Sequence, residues 1–174
     1  MKKIISILLM AVMTAGTTIP TKAVTDTRKV DAQAVIDLIK EYKVQEGFEI
    51  VSVGGLGLGL VRMIAKASAD CPEDREMLEI LDNLNRILVV EYEDAGQSGR
   101  DSFNRKMEDI LEGREKIMEI KDEGETLNLY GTSSDDGSSI EDIILYVPED
   151  HTLICLFGSI SSQKIADIVR NQDE

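Results

Sequence analysis

The sequence contains few aromatic residues, with no Trp, three Phe and four Tyr among 174 residues. A sugar-binding surface made of stacked aromatic rings would therefore have few side chains to use. Histidine is rarer still, because His151 is the only one. A zinc site or a Ser-His-Asp triad would have to be assembled around that single residue.

Long apolar runs are also scarce, and the one at the N-terminus, Ile4–Met13, is about half as long as a membrane-spanning helix requires. It follows the basic residues Lys2 and Lys3 and precedes Thr21-Lys22-Ala23, whose small first and last residues suit signal peptidase. We therefore predict that residues 1–23 are a signal peptide. The protein is then exported to the periplasm or the extracellular space.

The position of the cleavage site bounds the domain. We predict cleavage after Ala23, with cleavage after Gly16 or a retained, buried N-terminal helix as alternatives. Residues 24–30 then form a flexible leader, and residues 31–174 are enough for one domain with a single core. No later segment is apolar enough to span a bilayer, so we expect no transmembrane segment in the mature chain.

Positive charge is in short supply. Loss of the predicted signal leaves 16 basic and 33 acidic residues, a formal charge of −17. Nucleic-acid binding depends on Lys and Arg that neutralise phosphates, and anionic lipid surfaces repel acidic proteins. Nucleic acid is therefore excluded as an expected partner, and an unknown envelope protein or a small ligand is favoured.

The two cysteines, Cys71 and Cys155, leave three possibilities open. Export permits a disulfide between them. Cys155 lies within an apolar predicted strand, however, where a thiol packs as a small hydrophobic side chain. Cys71 at a predicted helix N-terminus would be a reactive thiol in the third reading. No cysteine follows the N-terminal apolar run, so we expect no lipid anchor.

The apolar periodicity predicts an α+β domain. Asp31 caps a helix to Tyr42, a glycine-rich turn at Gly54–Gly59 leads into a second helix, and a third begins near Asp70. The predicted strands are Phe48–Val53, Ile87–Tyr92, Lys116–Ile120, Thr126–Tyr130, Ile140–Val147 and Thr152–Phe157, with further helices at 101–112 and 161–169. We expect two layers: a mixed or mainly antiparallel sheet, with a C-terminal β-meander, and helices packed on one face. Leu153–Phe157 is apolar on both faces and is predicted to be central.

Several of these segments carry a resemblance. Phe48–Val53, Arg86–Tyr92, Leu153–Ile160 and Lys164–Ile168 resemble a Bacteroidetes envelope family, domain-of-unknown-function family 4252, over about residues 30–170. The matching motifs are strand cores and a strand–Gly–helix ending, so the resemblance implies a fold and no catalytic residues. Many relatives look like lipoproteins, but this sequence lacks the cysteine that such an anchor uses.

The glycine-rich segment Gly54–Gly59 follows a strand and precedes a helix, as a dinucleotide-binding loop does. Leu60 falls where the third glycine of G-x-G-x-x-G should be, and no lysine follows for a phosphate loop. We interpret the segment as a turn that allows tight chain reversal.

The segment Thr132–Asp142 contains Asp135, Asp136 and Gly137 and resembles part of a calcium-binding loop. Asp136 fits, but Ile143 stands where the terminal Glu should be, so we predict a hairpin with a type I′ turn at Asp136-Gly137. The acid clusters Glu91/Glu93/Asp94 and Asp122/Glu123/Glu125 are interpreted as solvated strand ends and turns rather than sites for divalent ions.

His151 is predicted to be a turn residue beside Asp150. No nucleophile motif accompanies it, because Gly158-Ser159-Ile160-Ser161-Ser162 does not match G-x-S-x-G. We assign no catalytic, cofactor-binding or metal-ligating residue and expect no cofactor. The favoured function is a non-catalytic envelope protein that binds or senses a partner. A hydrolase with a site near His151 and a structural, homo-oligomeric module are the alternatives.

Overall fold

The computed structural model describes residues 31–60, residue 63, residues 82–122 and residues 125–163. The predicted signal peptide and leader, Cys71 with its helix, and most of the predicted closing helix lie outside these described residues. None of the described helices is long and apolar enough to cross a membrane.

The described elements end in a run of four consecutive strands. In chain order they are α1 (Ala32–Tyr42), β1 (Glu49–Gly54), β2 (Leu84–Glu91), α2 (Gln97–Leu111), β3 (Lys116–Asp122), β4 (Glu125–Ser133), β5 (Ser139–Val147) and β6 (Thr152–Ser161). Each predicted strand is present, within a few residues of its expected bounds.

The six strands form one open sheet in the order β1-β2-β6-β5-β4-β3. Every neighbouring pair is antiparallel, and β3 to β6 form the predicted C-terminal meander. Strand β6 lies between β2 and β5, where Leu153, Ile154 and Cys155 are almost fully buried. The prediction of an α+β domain with a central Leu153–Phe157 strand is therefore confirmed.

Both described helices pack on one face of the sheet. The buried side chains of α1 follow the i, i+3, i+4, i+7 spacing of a helix with one apolar face. They meet the buried residues of α2 and the inward side chains of β2, β5 and β6. The main members of this core are Val35, Leu38, Ile39, Tyr42, Phe48, Leu88, Val90, Tyr92, Phe103, Met107, Leu111, Ile144, Tyr146, Leu153, Cys155 and Phe157.

The opposite face of the sheet carries a second apolar cluster. Because side chains alternate along a strand, the residues between those of the first core point to this face. Its buried members are Leu84, Ile140, Ile143, Leu145, Ile154 and Ile160. The strand residues Leu127 and Leu129 pack against it, and this fixes Asn128, between them, on the helix-bearing face.

The ends of the helices show which capping predictions hold. The Asp31 side chain accepts a hydrogen bond from the Ala34 backbone N–H at 3.0 Å, so the predicted N-cap of α1 is confirmed. Helix α2, predicted at 101–112, begins at Gln97 and ends at Leu111 instead. The backbone N–H of Arg100 donates to the Gly96 carbonyl, which starts the helix there.

The β4–β5 hairpin differs from its prediction. The Gly137 N–H donates to the Ser134 carbonyl, and only Gly137 in this loop has a positive φ. A type I′ turn needs positive φ at both central residues, and Asp136 does not supply it. The predicted type I′ turn at Asp136-Gly137 is therefore wrong; the loop is longer and turns through Asp135 and Asp136.

Candidate functional site

A cleft of about 450 Å³ opens between the C-terminal end of α2 and the strands β3, β4 and β5. It lies on the helix-bearing face of the sheet. Its wall is formed by α2, its floor by the strands. The lining residues are Glu108, Asp109, Leu111, Glu112, Lys116, Asn128, Tyr130, Tyr146 and Pro148.

Asn128 on β4 supplies an unusual polar group to the floor of the cleft. Its side chain is only 9% exposed, and its Oδ1 atom is buried with no hydrogen-bond partner. A buried polar atom normally has a partner, because losing its hydration without one costs about 1–3 kcal/mol. The oxygen itself has less than 1 Å² of accessible surface, so it lies beneath the floor of the cleft.

A second asparagine holds the neighbouring tyrosine of the floor in place. The hydroxyls of Tyr146 and Tyr92 both donate to Oδ1 of Asn104 on α2, at 3.0 and 2.7 Å. Burial raises the pKa of both tyrosines, so they stay protonated and keep donating. This contact fixes α2 against β5 and so sets the width of the cleft.

Acidic residues dominate the helix side of the cleft. Glu108, Asp109 and Glu112 occupy the last turn of α2 and its C-cap, and none has an ion-pair partner among the described residues. The C-terminal end of a helix itself carries partial negative charge, so acids there reinforce it. Arg114 lies nearby and donates to the Ile110 carbonyl at 3.0 Å, but it does not line the cleft.

The strand side of the cleft contains one basic residue, and that residue already has an acidic partner. Lys116 Nζ lies 2.7 Å from Glu119 Oε2 and 5.6 Å from the centre of the Tyr130 ring. The hydrogen bond to Glu119 raises the pKa of Lys116. The cleft therefore presents three acids and one neutralised base above an unsatisfied carbonyl oxygen.

The glycine-rich segment behaves as the turn that the sequence predicts. Strand β1 ends at Gly54, Gly55 has a φ of +49°, and a helical segment begins at Leu56. The Gly59 N–H donates a hydrogen bond to the Gly55 carbonyl oxygen, at 3.1 Å. Most of the helix predicted to follow lies outside the described residues.

The loop around Asp136 uses its carboxylate internally. One oxygen, Oδ1, accepts from the Ser134 hydroxyl at 2.7 Å and from both the backbone N–H and the hydroxyl of Ser138, at 3.0 and 2.7 Å. These bonds, led by the backbone N–H of Ser138, lower the pKa of Asp136 to about 2. The carboxylate thus caps its own turn.

His151 occupies the turn between β5 and β6, as predicted, with a φ of +51°. Its ring stands edge-on to Tyr92, with 5.5 Å between ring centres, and its carbonyl accepts from the Tyr92 N–H. Within the described part of the chain, no serine or acid forms a hydrogen bond with the imidazole. The structure therefore does not bring together a triad around His151.

The remaining candidates are spread over the fold. Cys155 is a free thiol buried in the helix-side core, and burial raises its pKa. Across residues 31–60, 63, 82–122 and 125–163, no group of three or more His, Cys, Asp or Glu is placed to hold a metal ion. The Glu91/Glu93/Asp94 cluster lies at the end of β2 and the following turn. In the second cluster, Glu123 and the side chains of Asp122 and Glu125 lie outside the described set.

Comparisons with known proteins identify a family and nothing closer. The family model described as "Domain of unknown function (DUF4252)" matches residues 42–168, which include all the residues that line the cleft. No curated protein and no solved structure shows significant similarity to the chain.

Proposed function

We propose that this chain, which belongs to the family described as Domain of unknown function (DUF4252), is a non-catalytic binding protein whose ligand occupies the cleft beside α2. The proposal gives a location to the binding role that the composition favours. It places the ligand between the end of α2 and strands β3 to β5, rather than on an exposed sheet face.

One observation carries the proposal: Asn128 lines the cleft and keeps a buried Oδ1 without a hydrogen-bond partner. The strand would form equally well with an apolar residue at position 128, since its neighbours Leu127 and Leu129 are apolar. An asparagine with an empty acceptor lowers stability unless something else uses it. Binding sites commonly combine apolar walls with a few such convergent polar groups.

Hydrolysis is less well supported than binding. A hydrolase site at His151 would need a serine nucleophile and an orienting acid within hydrogen-bond reach of the imidazole. The imidazole instead packs against the Tyr92 ring at the end of β2. The cleft has acids and an amide, and Lys116 at its strand side is engaged by Glu119.

We propose further that the binding protein is exported and works in the cell envelope of a Bacteroidetes bacterium. Support comes from the charged, apolar and small-residue order of residues 1–23 and from the segments that resemble the envelope family. Intact-mass measurement of protein purified from the envelope fraction tests this. A mature N-terminus at Val24 is expected, whereas a chain that starts at Met1 and stays in the cytoplasm would contradict export.

The binding role is tested by screening small fragments of positive, neutral and negative charge against ¹⁵N-labelled protein. We expect the amide signals that move to cluster at the end of α2 and on β4, near Glu112 and Asn128. Signals from β1, at the opposite edge of the sheet, serve as the internal control. Shifts spread evenly over the sheet, or none from any class, would refute a binding role for the cleft.

A further inference from the structure

We infer that two copies of this chain associate edge to edge through strand β1, so that their two sheets join into one. The partner is a second copy in antiparallel orientation, related to the first by a two-fold axis that passes beside Ser52. The inference goes beyond the proposed ligand cleft, which lies toward the other edge of the sheet, and does not depend on it.

Strand β1 is an outer strand of the sheet, and no described strand pairs with its outer side. Natural sheets commonly protect such an edge with charged side chains, proline or a β-bulge. Strand β1 has none of these after Glu49, because its register with β2 is regular as far as Gly54 and the residues between are uncharged. The outer edge of β1 can therefore pair with another strand.

The hydrogen-bond pattern of β2 identifies the backbone groups of β1 that face outward. In an antiparallel pair, alternate residues of a strand bond to the same neighbour. The Tyr92 N–H donates to the His151 carbonyl, which directs the even-numbered residues of β2 toward β6. The odd-numbered residues of β2 then bond to the odd-numbered residues of β1. The outward groups of β1 are therefore the backbone N–H and C=O of Ile50, Ser52 and Gly54.

These outward groups specify a self-complementary register. When Ser52 of one copy lies opposite Ser52 of the other, Ile50 lies opposite Gly54, and each pair can exchange both of its backbone hydrogen bonds. Val51 then lies opposite Val53 of the second copy, where β-branched side chains pack against each other. Val51 is 55% exposed in the single chain, so the pairing removes apolar surface from water.

The distribution of charge allows an acidic chain to associate with itself at this edge. The formal charge is −14, so two copies repel each other unless they meet on a surface without acids. The stretch Ile50–Val61 contains no charged residue, and Glu49 of the two copies would lie at opposite ends of the paired strands. Leu56 and Leu60, which follow β1, are 95% and 53% exposed and add apolar surface beyond its end.

The other edge of the sheet favours a closed pair over a filament. Strand β3 has the charged residues Lys116 and Glu119, and its register with β4 shifts between Lys116 and Met118. Both features protect an edge from pairing. Contact between β1 and β3 would leave free edges and continue from copy to copy, whereas contact between β1 and β1 uses one surface twice and stops at a dimer.

Size exclusion with light scattering, over a range of concentrations of the purified protein, measures this association. We expect the mass of two chains at high concentration. Ser52→Lys and Ser52→Glu each place like charges opposite each other at the two-fold axis, and each should weaken the dimer at least about tenfold. An equal mixture of the two variants should associate again, because opposite charges then face each other.

The design separates a local effect from general repulsion and from misfolding. Ser52→Lys makes the chain less acidic, so general repulsion alone would strengthen association. Gln33→Lys makes the same change of charge at an exposed position on α1 and should leave the dissociation constant within about twofold. Association in the mixture would show that both Ser52 variants are folded. Hydrogen exchange should show the amide protons of Ile50, Ser52 and Gly54 protected in the dimer and unprotected in Ser52→Lys.

Each contrary result has a definite meaning. The mass of one chain at every concentration refutes the inference and leaves the edge of β1 to a strand from a different protein. A dimer that persists in both Ser52 variants, or that leaves the outward amide protons of β1 unprotected, shows that the copies meet elsewhere and also overturns it. A mass that keeps rising with concentration contradicts the closed two-fold arrangement. None of these outcomes decides whether the cleft binds a ligand, so the two proposals fail separately.

Discussion

The replacement Asn128→Leu should make the protein more stable, although it removes a polar residue from a polar cleft. Asn128 is 9% exposed, and its carbonyl oxygen is buried without a partner. Leucine has nearly the same branched shape and no acceptor to satisfy. The change therefore removes a desolvation cost of about 1–3 kcal/mol and should raise the free energy of unfolding by a similar amount.

Asn104→Leu is the matched control, because it makes the same chemical change at an amide that is satisfied. Asn104 Oδ1 accepts from the hydroxyls of Tyr92 and Tyr146, whose side chains are 0% and 3% exposed. Leucine would leave two buried hydroxyls without their acceptor. At about 1–3 kcal/mol for each hydroxyl, the free energy of unfolding should fall by about 2 kcal/mol or more.

Thermal unfolding followed by circular dichroism measures both changes. In a domain of this size, 1 kcal/mol corresponds to about 2–4 °C in Tm. We therefore expect Tm to rise by about 2–12 °C in Asn128→Leu and to fall by about 4 °C or more in Asn104→Leu. Urea unfolding with an unchanged slope would show that the native and unfolded states keep their compactness.

The two variants separate a ligand-binding amide from a structural one. If Asn128 stabilises the fold through contacts, Asn128→Leu will lower Tm as Asn104→Leu does. That outcome would refute the reasoning behind both the orphaned acceptor and the proposed site. A gain in stability that accompanies a loss of ligand binding is the result expected of a residue kept for function at the expense of stability.

Three further predictions concern other parts of the fold. Gly158→Ala should lower the free energy of unfolding by about 2 kcal/mol or more, because Gly158 has a φ of +137° and a Cβ there would lie 2.3 Å from the Asn83 carbonyl oxygen. Urea unfolding measures this change. The control is Gly59→Ala, where the added Cβ meets no atom within 4 Å and should be neutral or stabilising. The NMR chemical shift of the Ser138 backbone amide should change with a midpoint near pH 2, because the Asp136 carboxylate that it binds has its pKa lowered to about 2 in the folded chain. The stabilisation of the turn by this carboxylate is present above pH 3.8 and is lost as the pH falls through about 2. A midpoint near 3.8 would contradict the prediction. The Cys155 thiol should resist alkylation in the native protein and react only after unfolding, because it is buried and burial raises its pKa; peptide mass spectrometry would disprove this by finding Cys155 modified under native conditions.

The strands could be predicted from the sequence because their signals are local. Leu153–Phe157 is apolar on both faces, and only a strand with neighbours on both sides and side chains packed above and below can bury it fully. In the predicted strand Thr126–Tyr130, Leu127 and Leu129 alternate with polar residues, which is the pattern of a strand with one apolar face. Both patterns reflect the two-residue repeat of a strand and need no knowledge of distant contacts.

The errors arose where backbone detail or tertiary contact decides the outcome. Helix α2 starts four residues before its predicted beginning, and Gly99 lies inside it. Glycine has a low helix propensity, so the sequence indicates a loop there, although a Cβ at Gly99 would make only an ordinary contact of 3.6 Å with the Phe48 ring. The hairpin at Asp136 depends on three hydrogen bonds to one carboxylate oxygen, and a dipeptide pattern does not contain them.

The cleft shows why a binding site can be invisible in a sequence whose fold is readable. Asn128 lies on the polar face of β4, opposite Leu127 and Leu129. What turns this face into a floor is the end of α2, which the Asn104 contact with Tyr92 and Tyr146 brings over β5. Glu108 and Asn128 are twenty residues apart and belong to different elements, so their meeting depends on tertiary packing. The two amides differ in their partners: Asn104 Oδ1 accepts from two tyrosine hydroxyls and stabilises the fold, whereas Asn128 Oδ1 has no partner.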